Sequence, residues 1–224
     1  MENIPIIFHL GPLAIDATVL MTWGVIVLLG LASALGTRRL QVDKPGTLQV
    51  VLESVVTLIE NAVADMLPQR PLLLVPFVGS LWIFLVVANL VGLVPGMHSP
   101  TGDLSLTAAL AILVFLSVHW YGVRASGWRG YLRHYFSPTP IMFPFHIISE
   151  ISRTIALAVR LFGNIASLEM AALLVLGVAG FLVPVPILLL HVVEALVQAY
   201  IFGMLALVYI TSGIQAQQQT KPKL

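Results

Sequence analysis

Arg160 stands in ISRTIALAVRLFGNIASLEMAALLVLGVAG, with apolar residues on both sides. The surrounding stretch is long enough to cross a bilayer. An arginine near the bilayer centre costs about 2.5–3.5 kcal/mol on insertion scales. It cannot lower that cost by losing its proton, because its pKa lies above about 12. A guanidinium kept at that depth has to face water or an anion. A fixed cation there would favour the ionised form of any carboxylate brought next to it. Ala156, Gly163 and Ser167 beside it are small, so another helix could approach closely. Asn164 lies one turn on, on the same face, and Arg153 lies on that face nearer one end. The alternative is an internal salt bridge with Glu150, Glu169 or Glu194. Glu150 is near the end of the span, and Glu169 falls roughly half a turn round the helix. Glu194, on another helix, stays open as a partner.

A second group sits in the last apolar segment. His191, Glu194 and Gln198 stand at i, i+3 and i+7, which puts them on one helical face. Together with Glu169 they make a string of groups suited to passing protons through a wetted path. Carboxylate and imidazole exchange protons near neutral pH, and an amide can hold water. Two other readings compete: hydrogen bonding between helices, and a metal site built on His191 and Glu194. Two ligands without a third disfavour the metal. His146 and Glu150 form an i,i+4 pair at the other end of the same long segment as Arg160, fitting either an exit path or an interfacial pair. Asn89 reads as an amide joining two helices, Asp103 as a helix cap, and His119 as an interfacial residue.

The elements that must hold these residues are helices in lipid. The chain has 224 residues, 58% hydrophobic and 9% charged, and its mean hydropathy is +0.99. A soluble domain carries about 25% charged residues. The apolar residues fall in long runs, whereas an outer-membrane barrel alternates them over short strands. Helices satisfy their own backbone groups inside hydrocarbon. Five spans are expected, near 18–36, 72–95, 104–123, 144–183 and 187–212. Thr47–Leu67 is amphipathic, and its Glu53, Glu60 and Asp65 favour a surface helix over a sixth span. Arg38, Arg39 and Lys44, then Arg124, Arg129 and Arg133, then Lys221 and Lys223, all fall on one side if the N-terminus is outside and the C-terminus cytoplasmic. The expected fold is an all-α membrane protein, residues 1–224 forming a single integral membrane domain. The N-terminal arm lacks the basic start and cleavage site of a signal peptide. A formal net charge of +1 gives no basic field for nucleic acid. The absence of cysteine excludes thiol chemistry, and no HExxH, Walker or GxSxG sequence points to hydrolysis. No cofactor is expected.

SRTIALAVRLFGN followed by Glu169, and HVVEALVQAYIFGMLALVYI, resemble the signatures of subunit a of F-type ATP synthases. FSPTPIMFPFHIISEISR, NLVGLVPG and SPTGDLSLTAALAI resemble further segments of that family, in the same order. The resemblance implies that Arg160 faces the carboxylates of a rotating ring of c subunits. It also implies that Glu169, His191 and Gln198 are polar channel positions, that Asn164 is the amide after the arginine, and that the last two helices form a long tilted hairpin. The implied partners are the c-ring, the b-subunit stator stalk and the rest of the ATP synthase. A bacterial inner membrane is the expected location, with a plastid thylakoid as the alternative. Thr154, Gly92 and the extra carboxylate Glu194 depart from the common pattern. They leave sodium as an alternative to the proton. A secondary transporter is the rival reading from outside the family, disfavoured because the two halves show no repeat.

Overall fold

The structure is a computed structural model that describes residues 6–10, 13–38, 40–41, 46–68, 70–94, 97–135, 141–179 and 184–218. A short antiparallel hairpin opens the chain, β1 (Ile6–Leu10) with β2 (Leu13–Asp16). Six helices follow: α1 (Ala17–Gly36), α2 (Thr47–Met66), α3 (Val75–Val91), α4 (Leu104–Tyr135), α5 (Met142–Ala179) and α6 (Pro184–Gln218). The all-α membrane architecture therefore holds, with the small N-terminal hairpin as an addition.

Among the described residues five helices are long and apolar enough to cross a membrane, but α2 is among them while α3, at 17 residues, is shorter. The expected set had α3 as a span and α2 as the surface helix. Packing explains why length alone misleads here. α2 buries Ile59 and Val63 and leaves most of its other apolar side chains uncovered. Leu52, near its start, lies 3.3 Å from where a Cβ on Gly36 would stand at the end of α1. At its other end the carbonyl of Met66 accepts a hydrogen bond from Gln215 near the end of α6. α2 thus connects the ends of two other helices. α3, by contrast, buries Val78, Leu81, Trp82, Leu85, Ala88 and Asn89 in the bundle.

α6 packs against α3, α4 and α5, and α4 against α5. One cluster joins Leu85, Val114, Leu161, Ile165 and Phe202 from these four helices, with Ala111, Ala158, Ala199 and Ala206 letting the backbones approach. A second joins Val63, Leu74, Trp82, Leu207 and Ile210. α3 runs antiparallel to α6: Leu74 meets the Ile210–Ile214 end, and Asn89 reaches Ala195. Large apolar side chains such as Trp23, Leu31, Leu174 and Val193 point outward. In water such a surface would be an aggregation liability, whereas lipid solvates it.

α4 contains a break at Gly127, whose φ of 75° and ψ of 160° lie outside the helical region. Its apolar part ends at Ala125, so the chain turns off its span just after Arg124. α5 and α6 have 38 and 35 residues. At about 1.5 Å per residue they are about 57 and 53 Å long, well beyond a ~30 Å hydrocarbon core. They pack on each other as consecutive antiparallel helices, as the resemblance implied. The turn at 180–183, together with Arg39, Lys44, Lys221 and Lys223, lies outside the described residues.

One contact between α3 and α6 depends on a single glycine. The Trp82 indole stacks on Tyr200, with ring centroids 5.9 Å apart and planes 9° from parallel, and its Nε1 donates to the Tyr200 carbonyl at 3.3 Å. A Cβ on Gly203 would overlap that indole. Gly203→Ala is expected to cost about 1–3 kcal/mol through overpacking, read as a lower Tm of the purified protein in detergent. Adding Trp82→Ala should make the second change far less costly than it is alone; simple additivity would contradict the contact.

Candidate functional site

Arg160 lies midway along the part of α5 bounded by two carboxylates. Glu150 precedes it by ten residues and Glu169 follows it by nine, so the axial distances are about 15 and 14 Å. Their sum matches a ~30 Å hydrocarbon core. α5 buries Leu157, Ala158, Leu161 and Ile165 against the bundle. Arg160 is on the opposite side and exposed, as are Ala156 and Ser167. A Cβ on Gly163 would meet nothing within 4 Å. Among the described residues no carboxylate lies within 4 Å of the Arg160 guanidinium. The internal salt bridge left open by the sequence, with Glu194 above all, is therefore absent from the described residues. Ser167 donates its hydroxyl back to the Gly163 carbonyl, which leaves a smooth face of small residues around the cation.

Asn164 and Gln198 meet between α5 and α6, with Asn164 Nδ2 donating to Gln198 Oε1 at 2.7 Å. Gln198 is 1% exposed and His191 2%. Gln198 Nε2 and His191 Nε2 are both buried without a hydrogen-bond partner among the described residues. A buried polar atom left so costs about 1–3 kcal/mol unless water reaches it. Glu194, between them on α6, is half-buried. The three residues share one side of α6, as their spacing predicted, and the two outer ones are buried.

Glu169 is held by a loop that sequence reasoning did not connect to it. Its Oε1 accepts the Ser99 backbone N–H at 2.8 Å. Cβ atoms on Gly92 and Gly102 would stand 3.0 Å from its two carboxylate oxygens, so both glycines make room for the side chain. Behind it lies a buried polar knot. Thr101 Oγ1 donates to Asn89 Oδ1 at 2.6 Å, and Asn89 Nδ2 donates to the Ala195 carbonyl at 3.1 Å. Ser99 Oγ donates to the Ala88 carbonyl at 3.0 Å and lies 2.7 Å from Thr101 Oγ1. Asn89 is thus the helix-joining amide its sequence context suggested, and Asp103 caps α4, its Oδ1 accepting the Ser105 N–H at 2.8 Å. The sequence signal for the loop was SPTGD itself, turn and capping residues directly before a span.

The fold and these side chains define a multi-pass α-helical membrane protein that carries an unpaired cation on an uncovered helix face and buried polar groups beside it. A sequence profile described as ATP synthase A chain matches residues 19–211, and the chain belongs to that family. It is 58% identical over 224 residues to ATP synthase subunit a 2 of Pelobacter propionicus, covering all of this chain and 98% of that protein. It is 61% identical over 211 residues to ATP synthase subunit a 1 of Hahella chejuensis, covering 94% and 89%. To ATP synthase subunit a of Legionella pneumophila it is 56% identical over 211 residues, covering 94% and 92%.

Thr101→Val removes the only hydroxyl donor to Asn89 Oδ1 among the described contacts and should destabilise the protein by about 1–3 kcal/mol. Thr101→Ser keeps the donor and should stay near the wild type. Thermal unfolding in detergent separates the two; equal losses would mean that volume rather than the hydrogen bond matters there.

Proposed function

We propose that this chain is the stationary ion-channel subunit of a rotary ATP synthase, passing protons to and from carboxylates on a rotating c-ring through two half-channels. It does no hydrolytic chemistry itself. It lies in a bacterial inner membrane with its N-terminus outside, residues 1–224 acting as one membrane domain, and it is braced by the b-subunit stator stalk. The observation that carries this reading is the exposed guanidinium of Arg160, at mid-span, with no carboxylate beside it among the described residues and flanked by small residues. A neighbouring helix has room to bring an anion to it.

In the proposed cycle, protons enter from outside past Glu169, His191, Glu194 and Gln198 and neutralise a ring carboxylate, which then turns through lipid. Asn164, one helical turn on from Arg160, holds Gln198 through their hydrogen bond. When the carboxylate comes round to Arg160, the positive charge favours its ionised form and the proton leaves to the cytoplasm. At ~4 Å and an effective dielectric near 20 the attraction is about 4 kcal/mol. That favours release and still lets the pair separate. A charge crossing the membrane gains about 2.3 kcal/mol per 100 mV, which is the driving force for rotation. Arg160, unable to give up its own proton, also keeps the two half-channels apart. The buried, unpartnered nitrogens of His191 and Gln198 support a hydrated entry path.

Arg160→Ala should abolish ATP-driven proton pumping and proton-driven ATP synthesis in reconstituted complexes, at unchanged content of this subunit. Survival of coupled transport would refute the role. Glu169→Gln keeps an oxygen for the Ser99 N–H, so assembly should persist while proton flux falls about tenfold or more. Flux equal to the wild type at every pH tested would remove Glu169 from the path.

A further inference from the structure

The two carboxylate oxygens of Glu169 meet different surroundings. Oε1 accepts the Ser99 N–H at 2.8 Å. A Cβ on Gly92 would stand 3.0 Å from that oxygen and 2.9 Å from the Ser99 Cβ, so a side chain there would displace the donor. Oε2 has no hydrogen-bond partner among the described residues. A Cβ on Gly102 would stand 3.0 Å from it, and the space that this glycine leaves lies directly beside Oε2. Glu169 as a whole is half-buried.

The loop that supplies the donor is itself firmly fixed. The Ser99 carbonyl accepts the Gly102 N–H at 2.9 Å, which closes the turn Pro100–Gly102. Ser99 and Thr101 are buried, and their hydroxyls donate to the Ala88 carbonyl and to Asn89 on α3. Asn89 in turn donates to the carbonyl of Ala195, the residue after Glu194 on α6. The Ser99 N–H therefore cannot follow the Glu169 side chain, and the carboxylate has to turn toward the donor. One orientation of Glu169 is selected, with Oε1 held and Oε2 left over.

We propose that Ser99 and Gly102 are positioning residues for proton entry: the Ser99 N–H anchors Oε1, and Gly102 keeps Oε2 open as the atom that takes the proton. This rests on the reading of Glu169 as an entry-path group given above. When a carboxyl group is protonated, its carbonyl oxygen remains the acceptor and its O–H becomes a donor. The oxygen already paired with an N–H stays the carbonyl, so a proton arriving through water bonds to Oε2. The Oε2–H bond then breaks as the proton passes to the next water or polar group, and the carboxylate returns with Oε1 still anchored. A loop that only joined α3 to α4 would need neither a donor aimed at the carboxylate nor a glycine on each side of it.

The test uses the complete ATP synthase reconstituted in liposomes, with proton-driven ATP synthesis read at equal complex content. Ser99 has a φ of −65°, the angle a proline ring imposes, so Ser99→Pro deletes the N–H without asking for a new φ. It should slow synthesis about tenfold, whereas Ser99→Ala, which keeps the N–H, should lose less than about threefold. Gly102 is outside the positive-φ region, so its backbone accepts alanine. Gly102→Ala crowds Oε2 and should slow synthesis about fivefold or more; it carries the test if Ser99→Pro lowers complex content. In the Glu169→Gln background, where the carboxylate path is already lost, Ser99→Pro and Gly102→Ala should each add less than about a twofold loss. Wild-type rates in Ser99→Pro or in Gly102→Ala, equal losses in Ser99→Ala and Ser99→Pro, or full losses persisting in the Glu169→Gln background would each overturn the assignment. With Glu169→Gln slow, those results would sink the positioning roles alone; with Glu169→Gln at the wild-type rate, the underlying reading of Glu169 would fail first.

Discussion

A permanent positive charge at the middle of a membrane span is the constraint around which this chain is organised. Arg160 can be neither deprotonated nor moved to the interface without leaving its helix, and among the described residues its own chain offers it no carboxylate. α5 turns its large apolar side chains, Leu157, Leu161 and Ile165, into the bundle and leaves Ala156, Gly163 and Ser167 around the charge. Insertion of that charge is unfavourable for an isolated subunit. The arrangement makes physical sense when another component presents an anion to the same face.

The polar groups away from Arg160 are distributed unequally along the helix axis. Toward one end, Glu169 is immobilised by a backbone N–H and by two glycines that leave little spare room. Toward the other, Glu150 lines a cavity with His146 and Arg153 and lies 3.5 Å from His119 Nε2 on α4. A confined carboxylate stands toward one end and a cavity-lining carboxylate toward the other. Between them the core is closed by Leu161, Ile165, Phe202 and the small alanines that bring α4, α5 and α6 together.

Much of this was legible in the sequence because hydrophobic runs and single charges are local signals. The unusual placement of Arg160, the shared face of His191, Glu194 and Gln198, the joining role of Asn89 and the cap at Asp103 all follow from residue type and spacing. What escaped was non-local. The donor to Glu169 is a backbone N–H 70 positions away, and its location depends on how the loop after α3 folds. The approach of His119 to Glu150 depends on the relative rotation and height of two helices. The exchange of α2 for α3 in a count by length has a similar origin. α2 is apolar enough to pass, and only its contacts with the ends of α1 and α6 distinguish it.

The most direct measurement is an experimental structure of the assembled enzyme, with the distance read from the Arg160 guanidinium to the nearest carboxylate. The account predicts that this carboxylate belongs to the rotating ring and lies within about 4–6 Å, close enough to favour its ionised form. A guanidinium paired with an acid of its own chain, or facing lipid with the ring passing elsewhere, would contradict it.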